Sequence, residues 1–492
     1  MRRLGLKIFG ALALVAGGHY LGYRIVHVPS QLELMIVVSA ALFYPVIRKP
    51  VIGLYAIFLL LPMIPFIRRL YYLQYDRPDL DPLIALGDVI LVFILAGLFF
   101  TIRERRDIDR DVAPQSALVL GYFLFMLARV FVFNTQPLTQ SLAKFKFYGP
   151  PALFFFVGVV YAFSFSHLRR FWQITIGMGI VAAVYGYKQL YFGYSEAEKL
   201  WFASVKFSTL FIGDIARPFS FFQAPVAFAD YMQLSIIGIL IFFELKWSGR
   251  ILLSLLPLLF YAVLITSVRS SWIGVIATFV IWMVLFRIKG NKRRIGAIAG
   301  FALAFILSEI ISDLAGSGIG INALVSFIAS AMPQQQYVDL LVTNRATAIY
   351  DPLGEHSLLS RFMLWKYLLT SSAQPIKAIM GRGLGALKAD SLYFTYLAEF
   401  GYPGLLCILA LFGVFIRNGL RLIDTSKSKT AVALAKGITA MNIVFALVSV
   451  TGTHIHYFPG DVYFWFWNGV LAKLTAQIDI SDAQAYENLA DA

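Results

Sequence analysis

Charge is what this chain has least of. Asp, Glu, Lys and Arg make up 14% of its 492 residues, against 59% apolar types, and the mean hydropathy is +0.74. Soluble globular domains carry about 25% charged residues, so a soluble chain is excluded and length here counts membrane spans. Cysteine is almost absent. Cys407 alone, inside an apolar run, leaves no disulfide framework and no cysteine-based metal site. A clear signal-peptide cleavage site is also lacking. Met1-Arg2-Arg3 precedes an apolar stretch that continues through His19, Tyr20 and Arg24 without a clear small-x-small cleavage site, so an uncleaved first span is expected. No internal repeat of the kind on which many transporters are built stands out. His454 and His456 have no carboxylate-rich or cysteine neighbours in sequence, so the pair is not read as a metal site.

What the chain does have is a succession of apolar runs, each near the roughly 20 residues a span needs. They lie at 6–26, 32–47, 51–67, 83–102, 116–133, 149–165, 170–192, 222–244, 250–267, 270–287, 294–312, 391–416, 432–452 and 460–476. The expected fold is an all-α polytopic membrane protein of about fourteen transmembrane helices with a large, partly helical outer loop. The divisions are an N-terminal bundle over 1–312, the loop over 313–390, C-terminal spans over 391–476 and a polar cytoplasmic tail over 477–492. The loop holds Leu358, Phe362, Trp365 and Leu369, too many apolar residues for a disordered segment. It reads as a folded cap with a helix over 358–372.

The net charge of +15 is dispersed over short loops and forms no single basic patch, which excludes a nucleic-acid partner. Its distribution instead sets orientation, because cytoplasmic loops favour Lys and Arg. Arg2, Arg3 and Lys7, then Arg48-Lys49, Arg103 to Arg110, Arg169-Arg170, Lys246 with Arg250, Arg287 to Arg294, and Arg417 to Lys429 fall on alternate sides. Both termini are then inside and the 313–390 loop outside. Arg68, Arg69, Arg77, Lys144 and Lys146 run against that alternation. Asp88, Arg129, Lys188 and Asp230 fall inside spans. Each alone reads as a snorkelling or paired group, and together they describe a polar crevice opening outward.

Three outward arginines are candidates for phosphate recognition, since a guanidinium donates two parallel hydrogen bonds to such a group. Arg217 precedes Pro218, which biases it to extended backbone. Arg269 sits in the tight turn Thr266-Ser267-Val268-Arg269. Arg361 lies four residues before Trp365 and shares its helix face. Each could also be a lipid-phosphate anchor. Gly381-Arg382-Gly383-Leu384-Gly385 follows no strand, so it reads as a flexible turn rather than a dinucleotide loop. His356, beside Glu355, is a candidate substrate contact. Asp390 opens the first span after the loop, where a carboxylate either caps the helix or serves as a base.

Taken in order, Arg217-Pro218 with Phe221, Ser267-x-Arg269 with Gly274, Arg361 with Trp365, Gly381-x-Gly383, and Asp390-Ser391 separated by nine residues from Gly401 resemble a known pattern. Glu399 and Tyr402-Pro403-Gly404 flank that glycine. The set resembles the bacterial O-antigen polymerase and ligase superfamily over roughly 200–415. The resemblance implies a glycosyltransferase of the inner membrane whose site faces the periplasmic side. Its donor is an undecaprenyl-diphosphate-linked glycan and its acceptor a second glycan. Arg217 and Arg269 are then the diphosphate ligands, Arg361, Arg382, His356 and Asp230 further substrate contacts, and Asp390 the group that takes the acceptor proton. No metal or cofactor is implied, and a chain-length regulator or other assembly protein is an expected partner. The ligases carry a histidine where this chain has Asp390, which favours a polymerase. Transfer of a finished glycan to a lipid or protein is the alternative within the class, and a flippase or exporter the alternative outside it.

Overall fold

The computed structural model describes residues 31–71, 82–104, 113–132, 136–161, 164–204, 210–212, 215–247, 250–284, 356–371, 375–386 and 389–490. Its helices, in chain order, begin with α1 (Gln31–Arg48), α2 (Pro50–Leu60), α3 (Ile64–Tyr71), α4 (Leu86–Glu104) and α5 (Ala113–Phe131). Next come α6 (Leu138–Val160), α7 (Phe165–Phe192), α8 (Glu196–Ser204), α9 (Pro225–Glu244), α10 (Leu256–Ile265) and α11 (Arg269–Val284). The last are α12 (His356–Ser371), α13 (Pro375–Met380), α14 (Leu392–Thr425), α15 (Lys429–Val448) and α16 (Gly460–Ala490). Two dipeptides, β1 (Phe211–Ile212) and β2 (Ile215–Ala216), form an antiparallel pair, and all other regular structure among the described residues is helical.

Six described segments are long and apolar enough to cross a membrane: Gln31–Arg48, Pro50–Tyr71, Pro82–Phe100, Pro225–Glu244, Leu392–Thr425 and Lys429–Val448. Of the fourteen spans read from sequence, 6–26 and 294–312 lie outside the described residues, and each of the others coincides with a helix. The loop helix read at 358–372 is α12. Helix α16 continues to Ala490, through most of the segment read as a polar tail.

The chain forms two compact units, Met1–Glu104 with Glu196–Val205, and Arg105–Ser195 with Lys206–Ala492. In the first, α1 and α2 both pack on α4, with Leu54, Ile57 and Ile94 fully buried between them. Arg68 and Arg69 are buried in α3, with guanidinium carbons 5.5 Å from the Trp201 ring and 5.6 Å from the Phe66 ring respectively. A buried arginine held on an aromatic face is not a loop charge. Lys144 and Lys146 likewise lie within helix α6. These four exceptions to the charge alternation are therefore helix residues, and the remaining one, Arg77, lies outside the described residues.

Helix α9 is the axis of the second unit. From Pro225 to Phe242 almost every side chain is buried, as a helix apolar on all faces requires, and α7, α10, α11 and α15 surround it. Helices α6 and α16 approach backbone to backbone. A methyl group on Gly158 would lie 2.5 Å from the Phe466 carbonyl, and one on Gly469 would strike the Phe155 carbonyl, the close approach that small residues permit in membrane helices. Trp172 and Trp467 stack at 4.5 Å between α7 and α16. Polar groups tie the spans as well. Asn442 and Asn468 exchange amide hydrogen bonds of 2.7 and 3.0 Å, and Lys436 meets Glu244 at 2.6 Å. Arg129 donates to the carbonyls of Val132 and Glu399, and Lys188 to that of Gly193.

Candidate functional site

Arg217 sits on a strap whose shape is set by its neighbours. Its N–H donates to the Leu210 carbonyl at 2.8 Å, continuing the β1–β2 pair, so the residue before Pro218 is extended as the proline demands. Beyond Pro218 the chain turns through Ser220 at φ 54°, a conformation uncommon outside glycine. Gln189, fully buried in α7, holds that turn. Its Oε1 accepts from Phe219 N–H at 3.0 Å and Ser220 N–H at 2.6 Å, and its Nε2 donates to the Ser220 carbonyl at 3.0 Å. Ser220 Oγ donates to the Ala182 carbonyl at 2.7 Å.

The second arginine begins helix α11. The turn before it passes through Ser267 at φ 53°, stabilised by Thr266 Oγ1, which donates to Val263 and accepts from Val268 N–H. Arg217, 8% exposed, reaches this turn, its Nη1 donating to the Ser267 carbonyl at 3.5 Å. Two of the three arginines singled out from sequence therefore lie on segments that meet, the Arg217 strap and the turn before Arg269. Each is two or three residues from a serine in the left-handed region.

Beside that turn lies a hydrogen-bonded chain of three side chains. Asp230 Oδ1 in α9 is 2.8 Å from His454 Nδ1, and His454 Nε2 is 3.1 Å from Ser270 Oγ. Ser271 Oγ adds a longer contact to Asp230 at 3.5 Å. Asp230 and His454 are each 1% exposed, whereas Ser270 is only half-buried. An ionised carboxylate can only accept, so His454 Nδ1 donates to it, and in the neutral imidazole Nε2 is left as the acceptor facing Ser270. Asp230 thus has a partner 224 residues away, and the histidine pair is split between two roles.

Asp390 is not the helix cap that its position predicts. Helix α14 starts at Leu392, and Ser391 occupies the cap with no side-chain capping bond. Asp390 falls one residue too early, and Asp and Ser are similar enough as caps for sequence to confuse them. Its carboxylate, about half exposed, lies 3.4 Å from Arg361 Nε. On the same face of α12, Trp365 stacks on Phe394 at 4.8 Å. His356 is the first residue of α12, and its side chain lies outside the described ones. The start of α14 is stapled to the turn carrying His454: Leu392 N–H donates to both the Ser449 and Gly452 carbonyls at 2.9 Å.

Tyr457 stands where these groups meet. Burial pushes its hydroxyl above the usual range and the Thr453 hydrogen bond opposes this. The charges of Asp230 and Asp390 raise it further and that of Arg217 lowers it. All three charged groups therefore lie within electrostatic reach of one phenol.

The glycine-rich turn is no flexible turn. Gly381, Gly383 and Gly385 have φ of 64°, 96° and 81°, and the turn is docked on α14. Arg382 N–H donates to Ala398 at 2.8 Å, Gly383 N–H to the Glu399 carbonyl at 3.0 Å, and Gly385 N–H to Glu399 Oε1 at 3.0 Å. Gly401, at φ 70°, kinks α14 to receive it, and any Cβ there would collide with the Ala378 carbonyl. Arg382 lies over the Tyr367 ring, 5.2 Å from its centre. Lys144 flanks the turn and faces Glu399. Nearby, His456 accepts from or donates to Tyr396, 3.0 Å away, which in turn meets Tyr122 at 2.8 Å. Burial, and then the charge of Lys144, hold the His456 ring neutral, its pKa pushed down to about 3 against an opposing bond with the Phe147 backbone.

Sequence reasoning missed Gln189, Ser270, Tyr457 and the pairing of His454. The one usable signal was Asp230 itself, since a carboxylate inside a span requires a partner. Among the described residues no cluster of three or more metal-ligating side chains forms. No protein-family model matches this chain, and no curated protein matches it.

Proposed function

We propose that this chain is a membrane glycosyltransferase that polymerises polyprenyl-diphosphate-linked glycan repeat units on the outer face of the cell membrane. The observation that carries the reading is the bond from Arg217 Nη1 to the Ser267 carbonyl, which joins the strap of Arg217 to the turn leading into Arg269, beside the buried Asp230. Two such charges match a diphosphate. In the reaction the anomeric C1–O bond to the diphosphate breaks, the diphosphate leaves with the electron pair, and an acceptor hydroxyl takes its place on C1. Preorganised cations at the leaving oxygen lower that barrier most, since their charge need not reorient as the bond breaks. Arg361, held against Asp390, is the third cation of this reading. The linking residues favour a polymerase over a ligase, because the ligase histidine position is Asp390 here.

The test is to incubate purified protein with lipid-linked repeat units and resolve the products by size. A ladder of lengths is the expected result. A single product transferred to a lipid or protein acceptor indicates a ligase, and unchanged donor overturns glycosyl transfer. The orientation is tested separately with single cysteines in a Cys407-free background. Positions near 335 should react with an impermeant thiol reagent from outside and positions near 292 should not; the reverse pattern overturns the outward site.

A further inference from the structure

Whatever the acceptor, its hydroxyl must lose a proton as it attacks. Asp390 is poorly suited, being half exposed and already engaged by Arg361. The buried line Asp230–His454–Ser270 has the opposite character. In the neutral imidazole Asp230 fixes the tautomer, so that Nε2 presents a lone pair to Ser270 Oγ. An imidazolium formed there would be stabilised by the same carboxylate, the arrangement by which a buried acid orients a catalytic histidine. His454 itself is closed off, at 1% exposure, and the half-buried Ser270 is the accessible end of the line. Ser270 also follows Arg269 directly in the first turn of α11. The relay therefore begins on the same helical turn as the arginine assigned to the donor diphosphate.

We propose that Ser270, His454 and Asp230 form a proton relay that activates the acceptor hydroxyl, with Ser270 as the group that touches the substrate. This rests on the glycosyl-transfer reading above. The acceptor O–H gives its proton to Ser270 Oγ while the Ser270 proton passes to His454 Nε2. The acceptor oxygen bonds to C1, the diphosphate departs with its electron pair, and the imidazolium later releases its proton to the departed diphosphate or to water. Asp230 acts through His454 and is a positioning residue.

The experiment compares wild-type protein with Ser270→Ala, His454→Gln, Asp230→Asn and the Ser270→Ala/His454→Gln double variant. It measures single-turnover polymer formation from lipid-linked repeat units, binding of undecaprenyl diphosphate, and thermal unfolding. Removing a base of this kind costs about 100-fold or more in rate, so Ser270→Ala should lose about that much while undecaprenyl diphosphate binding stays within about threefold. The double variant should be no slower than His454→Gln alone, because members of one relay are not additive. Ser270→Ala is the safest of the set, since a half-buried hydroxyl is removed without a cavity. If Ser270→Ala turns over at the wild-type rate, the relay is overturned and glycosyl transfer stands. If the variants lose donor binding and thermal stability in step with rate, the line is structural and the relay is overturned. If wild-type protein makes no product, the glycosyl-transfer reading falls and the relay with it.

Discussion

Gln189 is the residue whose loss should tell most about how the Arg217 strap is held. Replacing it with leucine keeps the volume close to constant and removes three hydrogen bonds at once. The N–H groups of Phe219 and Ser220 and the carbonyl of Ser220 would be left in a fully buried place. An unsatisfied buried polar group costs about 1–3 kcal/mol. The three share one site and do not add fully, so the total is on the order of 3–6 kcal/mol. Ser220, at φ 54°, would lose both bonds to Gln189 and keep that from Oγ to Ala182, and relaxation of its backbone moves Arg217 with it.

Two measurements follow from this. Spread over a unit of this size, such a loss lowers the thermal midpoint in detergent by about 5 °C. Amide hydrogen exchange should accelerate at Phe219 and Ser220 while the interior of α9, which has its own helical bonds, stays protected. If Gln189→Leu melts with the wild type and exchanges no faster at those two amides, the strap is held by packing, and the account of Arg217 placement is wrong.

Arg217→Lys and Arg269→Lys should each cut polymer formation about tenfold or more, since lysine keeps the charge and loses the fork that holds a diphosphate; full activity in a well-expressed double alanine variant would make them lipid anchors. Gly401→Ala should lower the yield of folded protein sharply, because φ is 70° and the added Cβ meets the Ala378 and Ile379 carbonyls. Gly413→Ala in the same helix meets nothing within 4 Å and should be neutral or gain about 0.5–1 kcal/mol, so equal melting of the two variants would refute the docking of the glycine turn. His456 should make the fold acid-sensitive. Its folded pKa is about 3 against about 6.5 unfolded, so its contribution is full above the unfolded value and is lost as pH falls toward 3. The cost is about 1 kcal/mol by pH 5.5, read as a lower thermal midpoint that His456→Gln should flatten.

The parts of this molecule legible from sequence were those encoded locally. Apolar runs gave the helices, because a span must satisfy its backbone within itself. Pro218 set the backbone of Arg217. The spacing of Arg361 and Trp365 placed both on one face of α12, where they meet Asp390 and Phe394, themselves four residues apart. What failed was non-local. Asp230 and His454 are joined across 224 residues, and no periodicity in either segment marks that pairing. The glycine turn looked loose because its partners are carbonyls of α14, whose availability depends on the kink at Gly401. The cap of α14 was misplaced by one residue, the ordinary uncertainty of a helix end made consequential by an aspartate next to a serine.

That division has a physical cause which bears on where the site lies. Irregular backbone is tolerated near a bilayer only where protein or water satisfies its polar groups. Among the described residues, three irregular segments are satisfied by groups distant in sequence. Gln189 of α7 serves the Arg217 strap, Ser449 and Gly452 receive the start of α14, and Glu399 receives the glycine turn. Such segments cannot be released one at a time, because each leaves buried polar groups on its partner as well as on itself. Arg217 is in this way positioned by α7 and by the Ser267 carbonyl, although its sequence neighbourhood shows only a proline. A preorganised cation in a dry place requires that arrangement, since an arginine free to swing toward water would have to be reordered at every turnover. Gln189, which holds the strap of Arg217 from another helix, is therefore as much a part of the proposed chemistry as the arginine itself.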